Sequence, residues 1–171
     1  MHFRLYRETF YLAIHYLDRY LSLSWGLSRD ALQLIGIAAL FVAAKLEVRA
    51  THPLTACQEI YPPKIKEFAE VCAGSCSTEA IFETELSILM AIQWKLSVPT
   101  VYYWLSSYLE LLQDDFSPEG MEALRESCLE LIDLATHLPL SLMFTYSLIA
   151  ASALYIRLQN GGDWQIRTDD V

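Results

Sequence analysis

The stretch Leu32 to Glu47, LQLIGIAALFVAAKLE, decides how the rest of this 171-residue chain is read. Ile35, Ile37, Ala38, Ala39, Leu40, Phe41, Val42, Ala43 and Ala44 leave a helix almost no solvent face, so other helices must surround it. Ser28 suits an N-cap with Asp30 in the first turn, and the helix is predicted to continue to about Leu46. On both sides of this stretch apolar residues recur at three- and four-residue intervals. No sustained two-residue alternation suggests a sheet, and the fold class that follows is all-α.

Working outward, the spacing predicts a first helix from about Leu5 to Leu21, with Tyr6, Phe10, Ile14, Leu17 and Leu21 on its apolar face. After the central helix a loop from about Val48 to Pro63 is broken by Pro53, Pro62 and Pro63, and a short helix spans about Lys64 to Val71. Ser77 with Ala80 opens a helix to about Trp94, with Ile81, Leu86, Ile88, Leu89 and Ile92 as its buried stripe. Pro99 marks a break, which places a domain boundary near Ser97. Three more helices follow, at about Thr100 to Gln113, Pro118 to Thr136 and Ser141 to Leu158, with Pro118 in a favoured first-turn position. Residues 159–171, which include Gly161 and Gly162 among alternating charges, show no periodicity and are expected to be disordered.

Composition removes several functional classes. A chain 54% hydrophobic and 19% charged buries a substantial core, which excludes intrinsic disorder. Its formal net charge of -9 repels phosphate backbones, so no nucleic-acid partner is expected. Cys57, Cys72, Cys76 and Cys128 match no zinc-finger spacing and His2, His15, His52 and His137 are scattered, so a reduced intracellular protein without metal or other cofactor is expected. The Met1 segment lacks the apolar run of a secretory signal. Leu138 to Ile156 is uncharged and about the length that spans a bilayer, roughly 20 residues. Pro139, Ser141, Thr145, Tyr146, Ser147, Ser152 and Tyr155 dilute it and no Lys or Arg cluster flanks it, which favours a buried helix over a membrane span. No Gly-rich phosphate loop, paired-histidine motif or nucleophile turn is present, so the expectation is a protein that is not an enzyme. Cys72 and Cys76 cannot by themselves fill a tetrahedral zinc site, and Glu83 and Glu85, two apart on a helix, point in different directions.

RETFYLAIHYLDRYLS, Arg7 to Ser22, followed by LQLIGIAALFVAAKLE resembles the cyclin box. EIYPPKIKEFAEVCAGSCS, Glu59 to Ser77, has the form that E-type cyclins show, and AASALY, Ala150 to Tyr155, is similar to a helix of their second box. The resemblance covers nearly everything from Tyr6 to Tyr155. It implies a cyclin-like fold with most of a first five-helix box in residues 1–97, part of a second in 98–158, and the tail 159–171 outside both. It also implies a regulatory subunit that binds and activates a cyclin-dependent serine/threonine kinase at entry into DNA synthesis, in the nucleus and also the cytoplasm. The kinase-binding pair of the family matches Lys45 and Glu85, with Leu46, Leu89, Trp94 and Leu96 as apolar neighbours. Leu89, Trp94 and Leu96 have a second reading as plain core residues. Leu32 and Gln33 match a remnant of the family's docking patch for substrates or inhibitors, which is incomplete here.

Three departures from the family pattern carry expectations of their own. The chain opens where a full box has passed its first helix, the one that carries an arginine partner for the aspartate matching Asp18, so a buried Asp18 is expected to stand unpaired with its pKa raised. VRATHPLTACQ, Val48 to Gln58, separates KLE from EIYPPK beside Lys45. After Tyr155 the pattern stops, which predicts uncovered apolar surface. The alternatives to kinase activation are an inactive or interfering truncated cyclin isoform and a helical adaptor outside the family.

Overall fold

The computed structural model describes residues 5–29, 31–50, 64–72 and 74–160, with the backbone alone for 47–50. Its elements are α1 (Arg7–Leu23), α2 (Ala31–Ala50), α3 (Ile65–Val71), α4 (Thr78–Ala91), α5 (Val101–Leu111), α6 (Pro118–Thr136), a 3-10 helix (Pro139–Met143) and α7 (Tyr146–Gln159). No strand occurs among the described residues. Two compact units divide the chain, one ending at Val98 and the other beginning at Pro99. The region 51–63, with most of the VRATHPLTACQ insertion, and the tail from 161 lie outside the described residues.

In the first unit α2 is the central element, packed against α1, α3 and α4. Ile35, Ala38, Ala39, Phe41, Val42, Ala43 and Ala44 are buried, while Ile37 and Leu40 are only half-buried. The all-round burial expected from the sequence therefore holds for seven of the nine residues named and not for the edge with Ile37 and Leu40. The helix also runs to Ala50, past the expected end at Leu46. Its start is tied by the Ser28 hydroxyl, which accepts from the Ala31 N–H at 3.3 Å.

The buried face of α1 differs from the one the spacing suggested. Thr9, Tyr11, Leu12, Ala13 and Tyr16 are buried. Tyr6 and Phe10 are exposed, and Ile14, Leu17 and Leu21 are half-buried. The reason is that α2 and α4 cover α1 along the side centred on Leu12 and Tyr16, so the stripe chosen from the large apolar residues lies at its margin. The Tyr16 hydroxyl donates to the Leu96 carbonyl at 2.7 Å, which holds the chain after α4 against α1. Burial, followed by the nearby Glu8 charge, pushes the Tyr16 phenol up to about 12. Tyr16→Phe leaves the Leu96 carbonyl unpaired and is expected to lower stability by about 1 kcal/mol, measured by urea unfolding.

Half-buried Asp18 has no ion pair or hydrogen bond among the described residues, and burial raises its carboxyl above the ordinary range, as expected. One turn earlier, burial and then the Arg19 charge lower His15. The two act on stability in opposite directions. A raised Asp18 contributes stability that is present below its unfolded value and is lost as pH rises through the folded one. A lowered His15 contributes stability that is present above its unfolded value and is lost as pH falls through the folded one. Asp18→Asn is therefore expected to melt above the parent chain at pH 7, with the gap closing toward pH 4, in circular-dichroism melts run across that range.

Side-chain caps start the remaining long helices. Ser77, Thr100, Ser117 and Thr145 accept from Ala80, Tyr103, Gly120 and Leu148 backbone N–H groups respectively. Helix α4 stops at Ala91 rather than Trp94, because Gln93 and Trp94 are left-handed, at φ 56° and 57°. The Trp94 N–H then bonds the Leu89 carbonyl at 2.9 Å, which closes the helix end.

The second unit packs α5, α6 and α7 around Leu105, Leu109, Leu124, Leu129, Ile132, Ala150 and Leu154. Arg157 Nε donates to the Ser127 carbonyl at 2.9 Å and so ties α7 to α6. The helix expected from Ser141 is split: a 3-10 helix ends at Met143, Phe144 is extended, and α7 starts only after the Thr145 cap. That break interrupts the uncharged stretch from Leu138 to Ile156. No helix among the described residues is long and apolar enough to cross a membrane. An open groove of about 360 Å³ lies among the end of α6, the 3-10 helix and α7, lined by residues that include Leu131, Ala135, Leu138, Phe144, Leu148 and Ile156.

Candidate functional site

Lys45, near the end of α2, and Glu85, in the middle of α4, are 40 residues apart in sequence and form a hydrogen-bonded ion pair. The fold brings them together because α2 and α4 pack along most of their length through Ala38, Phe41, Val42, Ile81, Ile88 and Leu89. Glu85 is the only charged residue among those buried in the described chain, with 8% of its side chain exposed. Lys45 is 41% exposed, so one partner is held inside and the other reaches solvent. The ammonium also lies 4.5 Å from the Phe41 ring centroid, where the ring's negative face attracts it. A carboxylate this buried requires its partner, since an orphan charge costs far more than an orphan dipole.

The apolar neighbours expected around this pair divide into two groups. Leu46 and Leu96 are half-buried against the core, and Leu96 also accepts the Tyr16 hydrogen bond. Leu89 belongs to the core outright, which favours its packing reading over a surface role. Trp94 is 61% exposed beyond the end of α4. The two charges expected to frame an apolar patch are paired to each other.

The surface of α4 carries residues absent from the expected site or placed differently. Phe82, Leu86 and Met90 recur every four residues and are all exposed. Leu86 had been assigned to the buried stripe, yet that stripe is Ile81, Ile88, Leu89 and Ile92 without it. The four-residue spacing was visible, but the burial of Ile81 and Ile88 turns this second stripe outward. Leu32 and Gln33 are exposed at the far end of α2, roughly 20 Å from Lys45 at the helical rise per residue, so they form no part of the same site.

No group of three or more metal-ligating side chains occurs among the described residues. Cys72, Cys76 and Cys128 are buried as free thiols. Burial, followed by contact with Cys76, pushes the Cys72 thiol up to about 11. Burial also raises Cys128 to about 11, against the opposing charge of Arg157.

Residues 1–97 match the family described as Cyclin, N-terminal domain. The chain belongs to the cyclin family. It is similar to the G1/S-specific cyclin-E1 of Gallus gallus, at 39% identity over 158 residues, 90% of this chain and 36% of that protein. The same identity and coverage hold for G1/S-specific cyclin-E1 of Mus musculus. G1/S-specific cyclin-E of Drosophila melanogaster is 35% identical over 194 residues, 96% of this chain and 26% of the relative. This cyclin thus spans about a third, or less, of the length of these relatives. In fold it is similar to the X-ray structure of a viral cyclin from herpesvirus saimiri, with a TM-score of 0.74 over 94% of this chain and 64% of that one at 20% identity. The all-α, cyclin-like fold expected from the cyclin-box motifs therefore holds.

Proposed function

We propose that this cyclin is a regulatory subunit that binds and activates a cyclin-dependent serine/threonine kinase at entry into DNA synthesis, acting in the nucleus. The observation that carries the reading is the Lys45–Glu85 pair, in a unit that also exposes Phe82, Leu86 and Met90 on α4 and Trp94 just beyond its end. It stands in a chain that is 39% identical to G1/S-specific cyclins over 90% of its length. An apolar strip beside a partly exposed charge suits a protein interface, in which large side chains supply burial and the charge fixes register. The contribution of the subunit is conformational. It favours the arrangement of the kinase in which the mobile regulatory helix is pressed inward and its glutamate pairs with the ATP-positioning lysine. The free energy comes from binding that arrangement better than the inactive one, and the chemistry stays on the partner.

The second reading, a chain that binds a kinase without activating it, is favoured by the open apolar groove of the second unit. One experiment separates the two. The purified chain is mixed with an inactive cyclin-dependent kinase, and complex formation and histone phosphorylation are read from the same sample. Binding with phosphorylation supports the activating subunit, and binding alone supports the second reading. A folded chain that does not bind rejects both.

A further inference from the structure

Cys72 is the C-cap residue of α3, and Cys76 immediately precedes the Ser77 cap of α4. Both side chains are buried in the core of the first unit. The chain between them doubles back. The Ser75 N–H donates to the Cys72 carbonyl at 2.9 Å, and the Ser75 hydroxyl donates to the same oxygen at 2.6 Å. Gly74, at φ 82°, supplies the left-handed step that this turn needs. The two buried thiols thus flank a single turn, with the Ser75 hydroxyl 3.8 Å from the Cys76 sulfur. Packing alone asks for two small apolar residues here, and it does not ask for a thiol on each side of the same turn.

We propose that Cys72 and Cys76 form a redox-modification site, which closes to an intrachain disulfide when a peroxide or a small-molecule disulfide supplies the oxidant. With hydrogen peroxide, one thiolate attacks a peroxide oxygen and becomes a sulfenic acid as the O–O bond breaks and water leaves. The second thiol then attacks that sulfur, the S–O bond breaks, and a second water leaves. Two thiols and one peroxide give one disulfide and two waters, with two electrons passing from sulfur to oxygen. With a small-molecule disulfide, a mixed disulfide forms first and the neighbouring thiol displaces the small thiol. Thiols four residues apart on the two sides of one turn have a high effective concentration toward each other, so the mixed species is short-lived and the ring closes.

The same burial sets the rate. A thiol held at about 11 has little thiolate at neutral pH, so oxidation is slow and quickens as pH rises. Equilibrium is therefore the measurement that decides, because the folded turn either favours the disulfide or does not. Closing it ties the end of α3 to the start of α4.

The whole chain is equilibrated, folded and separately in urea, across a series of glutathione to glutathione disulfide ratios, then acid-quenched, alkylated in denaturant and cut with trypsin. The fragment 67–95 contains both cysteines and no others. The expected result is that this fragment loses two hydrogens and carries no glutathione. Half-oxidation of the folded chain should come at a glutathione disulfide level about tenfold or more below that of the unfolded chain, a shift of roughly 30 mV or more. Cys76→Ser should abolish the transition in the folded chain. Half-oxidation at the same or a higher level in the folded chain overturns the proposal. So does glutathione retained on a single cysteine of the parent fragment.

Discussion

Replacing Lys45 and Glu85 together by alanine is expected to weaken kinase binding by about 3 kcal/mol, on the order of a hundredfold in Kd, while the chain stays folded and helical. The single substitutions are needed to interpret that loss. Lys45→Ala alone leaves the Glu85 carboxylate inside the α2–α4 contact without its partner, and is expected to cost about 1–3 kcal/mol of stability as well as binding. Glu85→Ala leaves only a lysine that already reaches solvent, and should cost less stability. The double variant removes the orphan charge and should be more stable than Lys45→Ala. Binding measured by calorimetry, with unfolding of each variant followed by circular dichroism, separates a docking role from a structural one. If the double variant binds the kinase with unchanged Kd, the pair belongs to the fold alone and the site lies elsewhere.

The largest expected loss of stability is at Phe68. Helix α3 has seven residues, well below the roughly 12–15 that a helix needs to persist by itself in water, so its existence depends on docking. Phe68 is its one fully buried side chain, with its ring edge-on to Phe41 at 5.2 Å between centroids and 62° between planes. Phe68→Ala should cost about 3–5 kcal/mol and lower the melting temperature on the order of 10 °C. That is a large share of the roughly 5–15 kcal/mol that holds a domain together. Hydrogen exchange should locate the opening at α3, and Phe68→Leu should recover much of the loss. A shift below 1 kcal/mol would mean that α3 is held by Ile65 and Ala69 instead. The Phe41 ring touched by Phe68 also faces the Lys45 ammonium, so the same variant tests whether the site depends on the packing beneath it.

The sequence was most legible where local chemistry decides. Ser77 starts its helix through its own side chain, and Pro118 sits in a first turn that does not use its missing N–H. It was least legible where a neighbouring element decides. Nothing local tells that Leu12 and Tyr16, rather than Phe10 and Ile14, face α2, or that Ile81 and Ile88 turn Leu86 outward. The break before Thr145 is hidden because Leu142, Met143 and Phe144 continue the apolar pattern of the helix expected from Ser141. The Lys45–Glu85 pair lay beyond local reasoning altogether. Two charges 40 residues apart carry no periodicity, and only the resemblance to a family brought them onto one line.

Four of the buried residues of α2 are alanines: Ala38, Ala39, Ala43 and Ala44. A methyl group is the thinnest side chain that still keeps a helix stable, so these positions act as a gauge for how closely neighbouring axes approach. Widening any one of them inserts atoms into a space packed as densely as an organic crystal, and the surplus volume is relieved by sliding one helix against the next. Because Lys45 and Glu85 sit on two different helices, their registration is set by this spacing rather than by either residue alone. Changes up to about two turns away, with no charge of their own, thereby become changes to the geometry of the Lys45–Glu85 pair.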